Sequence, residues 1–161
     1  MFAQPADVSI DIESWNAHAM RFFATRLGFA ELPLNAGALP EARGHGRDRN
    51  AEVGAGRTLS ARLVVAPDGE RPGIRGVFAR PRDDNDLALA EAADARVGAT
   101  GLALLARRCS AVWLVERTDR ADRIALRLAG VLASILLGPI LDTIEGELFG
   151  VKTARRKLDE V

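Results

Sequence analysis

Apolar and polar positions alternate from Asp7 onward: Val8, Ile10 and Ile12 are apolar, Ser9 and Asp11 polar. A period of two places the apolar set on one face of a strand. The period then lengthens. Trp15, Ala19, Phe22, Phe23 and Leu27 recur at helical spacing. With Ser14 as N-cap and Gly28 as stop, they predict a helix over 15–27. Phe29–Leu34 has the content of a short strand. Residues 35–57 carry no apolar period and collect glycine, arginine, asparagine and proline. A connection of that length is expected to be a mobile surface loop or a functional one.

Two apolar segments follow, Leu59–Ala66 and Gly73–Arg80, separated by Pro67-Asp68-Gly69. The turn chemistry of those three residues predicts an antiparallel hairpin. Arg62, Arg75 and Arg80 fit on one sheet face in some registers, and register is open at this stage. Asp83, Asp84 and Asp86 precede the alanine-rich run Leu87–Ala95. Acidic residues there cap and complement a helix start, which explains the cluster better than a metal does. That helix is expected to end near Gly98. Another, capped by Thr100, runs from Gly101 to Arg108 on a face of Leu102, Leu105 and Ala106.

The organising segment is Ser110–Leu141. Ala111–Val115 reads as a buried strand, and Thr118-Asp119-Arg120 as a turn and helix cap. The helix beyond begins amphipathic, with Arg120, Arg123 and Arg127 opposite Ile124, Leu128 and Val131. From Leu128 to Leu141 no charge occurs. A membrane span needs about 20 apolar residues, so this run reads as a covered helix of a soluble protein. Gly130, Ser134 and Gly138 recur every fourth residue, a spacing that lets helices approach closely. With Leu132 they are the candidate interface of a homodimer; tight packing inside one domain is the other reading. Past Pro139 a short helix is expected through Leu148. A polar one follows over Lys152–Glu160, where Lys152, Arg155 and Arg156 form a basic patch.

These elements predict an α+β class. A mostly antiparallel sheet of four to five strands has helices packed on one side, with a long apolar C-terminal helix. The whole chain, 1–161, is expected to form one globular domain.

Composition narrows the function classes. With 22 basic and 22 acidic residues the net charge is zero, which gives nucleic-acid binding no support. The excess of alanine, glycine and arginine reads as a bacterial-type, GC-rich coding bias. The single cysteine, Cys109, excludes an internal disulfide framework. With two histidines a histidine-rich metal centre is excluded. No cofactor and no metal is expected. The start of the sequence lacks the pattern of a secretory signal, so a cytoplasmic location is expected.

The segment Ala19–Phe29 resembles the first helix of glyoxalase-type vicinal-oxygen-chelate domains. That family places a metal ligand on the preceding strand. Val8–Ile12 contains no histidine and no second matching half follows, so the family's metal and activity are not carried over.

Two functional readings remain. One is a non-catalytic accessory or interaction domain that pairs with itself or with a protein partner through its C-terminal helices. The other is a small enzyme or binding domain for an anionic compound, using His45, Arg47, Asp48, Arg57 and Arg80. In that reading arginines clamp a carboxylate or phosphate and His45 serves as acid or base.

Overall fold

A computed structural model describes residues 1–4, 10–30 and 59–160. The chain opens with a two-residue strand, β1 (Phe2–Ala3), and α1 follows over Ile12–Phe23. Its cap is Asp11, whose carboxylate accepts from the Ser14 amide at 3.1 Å. The expected strand therefore does not reach Ile12, and the cap is not Ser14. Ile12 starts the helical stripe that continues through the buried Trp15, Ala19 and Phe23. The earlier part of that strand lies outside the described residues.

The helix also stops sooner than Gly28. Ala24 adopts a left-handed conformation (φ 46°) and turns the chain into β2 (Thr25–Phe29). Leu27 is buried, as expected, but as a strand residue alternating with exposed Arg26.

The predicted hairpin forms as β3 (Leu59–Pro67) and β4 (Gly73–Pro81). Leu63 pairs with Arg75 and Arg62 with Gly76, so Arg62 and Arg75 lie on opposite faces. Helices α2 (Asp84–Arg96) and α3 (Leu102–Arg107) come next, then β5 (Ala111–Val115). Asp83 caps α2 in a reciprocal arrangement with Asp86: each carboxylate accepts the other residue's amide, at 2.8 and 2.9 Å. The acidic cluster is thus a helix start.

Helix α4 spans Arg123–Leu136. Its cap is Asp122, not Thr118 or Asp119: the Asp122 carboxylate accepts from the Ala125 amide at 2.9 Å. Leu137 closes it in a left-handed conformation (φ 53°). The expected short helix after Pro139 is instead a small hairpin, β6 (Ile140–Asp142) and β7 (Glu147–Phe149). The Asp142 carboxylate accepts the Ile144 and Glu145 amides and Gly146 takes φ +65°, so side-chain turn chemistry overrides helical propensity there. Helix α5 (Val151–Asp159) completes the described chain.

The five-stranded sheet has order β1-β5-β4-β3-β2 and every pairing is antiparallel. The class is α+β. The larger apolar cluster joins one sheet face (Leu63, Val65, Val77, Ala79, Trp113) to α1, α4 and α5. Trp15 and Trp113 meet edge-on inside it, with ring centroids 5.6 Å apart. A smaller cluster gathers Phe2 and Val112, whose positions alternate with those of Ala3 and Ala111, around Ala90 and Ala93 of α2 and Ala103 and Ala106 of α3. Among the described residues no helix is long and apolar enough to cross a membrane.

Candidate functional site

The candidate interface residues on and just after α4 turn inward. Gly130, Leu132 and Gly138 are buried and Ser134 is half-buried. A Cβ on Gly130 would come within 2.9 Å of the Phe23 ring, and one on Gly138 would overlap the Phe2 carbonyl. The row of small residues is used within the chain, to seat α1, α5 and β1 against α4.

His45, Arg47, Asp48 and Arg57 lie outside the described residues. Arg80, the fifth candidate, sits near the end of β4. Its guanidinium grips Asp86 in a two-pronged ion pair, at 2.7 and 2.8 Å. Burial alone would raise the Asp86 pKa, but the Arg80 bonds and the Asp83 amide hold it below its ordinary value. Arg80 therefore ties the sheet to the start of α2, where both of its prongs are occupied.

Two concavities among the described residues bear on a site. The first is an apolar groove of about 570 Å³ where α1, the end of α4 and the start of α5 meet, bordered by Leu102 and Leu105 of α3. Its polar groups are Gln4, His18, Ser134 and Arg155. His18 Nε2 lies 2.8 Å from Ser134 Oγ. The Ser134 hydroxyl donates to the Val131 carbonyl at 2.7 Å, one turn back along its own helix. With the Ser134 proton pointing at that carbonyl, the tautomer of His18 that carries its proton on Nε2 completes the shared bond. A general base for Ser134 would have to accept that proton. Burial, reinforced by the Arg21 charge, pushes the His18 pKa down, which favours the neutral imidazole.

The second concavity, about 720 Å³, lies between β5, the start of α4 and the small hairpin. Its rim is charged but internally matched. Arg117 holds both oxygens of Asp142, at 2.9 and 2.8 Å. Arg120 pairs with Glu145 at 3.2 Å and Lys157 with Glu147 at 2.5 Å. Arg123 donates to the Leu158 carbonyl at 2.6 Å. An anion binding there would displace a partner already in place.

Asp122, at the foot of this cleft, accepts two bonds from Arg75, both at 2.8 Å, and others from Thr118. Burial would raise its pKa, yet these bonds outweigh burial and hold it far below the ordinary carboxylate range. Cys109 is buried, and burial pushes its thiol up to about 11. At neutral pH it is not a thiolate nucleophile. Among the described residues no group of three or more histidine, cysteine or carboxylate side chains is placed to hold a metal.

The groove is only partly legible in the sequence. Ser134 stands out there by its spacing and Arg155 by its charge. The link between His18 and Ser134, 116 positions apart, leaves no local pattern. Comparison with protein-family models, with characterised proteins and with solved structures finds no match to this chain.

Proposed function

We propose that this chain is a non-catalytic interaction domain that pairs with a second copy of itself through the outer face of its sheet. The observation that carries the reading is the patterning of that face. Ile74, Phe78 and Leu114 are 45%, 37% and 45% exposed, all on the face opposite the larger core. Ile74 lies beside Val64 and Phe78 beside Leu114. Between these two apolar rows runs a third: Arg62, then Gly76, then Glu116, whose amide donates to the Gly76 carbonyl. Clustered exposed apolar residues with charges interposed mark interaction surfaces.

The row is self-complementary. A two-fold axis running along β4 between two stacked faces places each Arg62 over the other copy's Glu116, whose carboxylate lies over its own Gly76 and accepts that amide at 2.9 Å. The apolar rows then meet on either side. This places the interface on the sheet, whereas the expectation from sequence put it on α4, whose Leu132 is wholly buried.

Light scattering during size-exclusion chromatography tests the reading. The parent chain is expected to run as a dimer at micromolar concentration, and Ile74→Asp as a folded monomer. Arg62→Glu is expected to weaken the dimer, and adding Glu116→Arg to restore it. A monomeric parent overturns the proposal.

A further inference from the structure

Beyond self-association, we infer that the groove between α1, α4 and α5 is a binding site for an amphipathic carboxylate, an alkyl chain of medium length with one anionic head. None of the residues of the proposed sheet interface lines it.

The groove's size falls in the ordinary range of small-ligand sites, about 300–1,000 Å³. Its walls are apolar: Phe22 and Phe23 on one side, Leu137 and Pro139 on another, Leu105 and Val151 closing the rest. Leu137 is 62% exposed and held in a left-handed backbone conformation, which presents it at the rim while its neighbour Leu136 is buried. Such a surface gains by covering its apolar wall with a hydrocarbon chain.

The polar groups choose the charge of the head. No aspartate or glutamate among the described residues lines the groove. His18 and Ser134 are engaged with each other and with Val131. Arg155 remains. On α5, Arg156 pairs with Glu160 and Lys157 with Glu147, which leaves Arg155 as a cation without a carboxylate among the described residues. Gly150, which also lines the groove, supplies no side-chain bond to the first turn of α5, so the potential at that end is positive as well. A cationic ligand would find no counter-charge among the described lining residues. A neutral one would forgo the charge–charge attraction to Arg155.

Isothermal titration of the whole chain with hexanoate, octanoate and decanoate tests the inference, with decanol and decyltrimethylammonium as head-group controls. We expect saturable binding of one carboxylate per chain, tightening about fourfold per added methylene as each is buried. The quaternary ammonium should not bind. Arg155→Glu, at an exposed position, should fold normally and weaken decanoate about tenfold. Leu137→Asn, which keeps a side chain tolerant of the left-handed conformation, should flatten the dependence on chain length. The inference is overturned if no carboxylate saturates, if the ammonium binds as well as decanoate, or if Arg155→Glu leaves decanoate affinity unchanged. A dimer without ligand binding, or binding without a dimer, separates this inference from the proposed self-association.

Discussion

Asp122 shows what single residues do here that sequence alone did not assign. The stretch Thr118–Asp122 offers three side chains able to cap a helix, and the sequence points to the first two, Thr118 and Asp119, beside the turn. The choice falls on Asp122, which alone among the three forms an ion pair with Arg75, taking both prongs of a guanidinium from a strand 47 positions away at 2.8 Å, while Thr118 receives a single longer bond of 3.3 Å. The Asp122 side chain is 1% exposed and that of Arg75 13%. Removing one partner strands the other charge in a dry site, at a cost of about 3–5 kcal/mol. Asp122→Ala is therefore expected to lower the urea midpoint sharply. Glu91→Ala, which breaks an exposed pair with Arg107, should cost about 0–1 kcal/mol. Comparable losses for both would contradict this ranking. By contrast, Asp83 was readable because its cap and its partner Asp86 lie within one turn.

At the level of elements, the long strands and the alanine-rich helix were legible and the short pieces were not. β3 and β4 each run nine residues, enough for alternation to declare itself. β6 and β7 have three residues each, too few for any period. The spacing of Gly130, Ser134 and Gly138 was visible, but what fills the space was not. Spacing records that something approaches closely and not whether it belongs to the same chain. Gly138 answers this most directly. Phe2 donates its amide to the Pro139 carbonyl at 2.9 Å and Gln4 to the Leu136 carbonyl at 3.1 Å, so β1 is bound along the end of α4. A Cβ at Gly138 would strike the Phe2 backbone, which has no rotamer to escape into. Gly138→Ala is expected to cost at least about 1–3 kcal/mol. Gly28→Ala, with nothing within 4 Å of an added Cβ, should be close to neutral in the same thermal melts.

Over the whole molecule, the buried charges set how stability responds to acid. Asp86 and Asp122 resist the upward push of burial because arginines bond them. Asp94 is held below its ordinary value by the Thr100 hydroxyl and by the amides of residues 100, 101 and 103. A carboxylate whose folded pKa is depressed stabilises the fold fully above its unfolded value, about 3.9 for aspartate. That contribution is lost as pH falls toward the folded value. His18 acts in the same direction at higher pH. The folded state disfavours its charged form, so stability declines once the unfolded chain begins to protonate near about 6.5. Urea midpoints should therefore change little between neutral pH and about 6.5 from these four groups. A shallow decline should follow below that, and a steep one below about pH 4. His18→Gln is expected to remove part of the shallow limb and leave the steep one. Asp122→Asn is expected to shrink the steep limb while lowering stability at neutral pH, because the amide caps α4 but cannot answer the Arg75 charge. Midpoints that rise on acidification from pH 5 to 3 would show that these carboxylates are not held by the ion pairs and caps described.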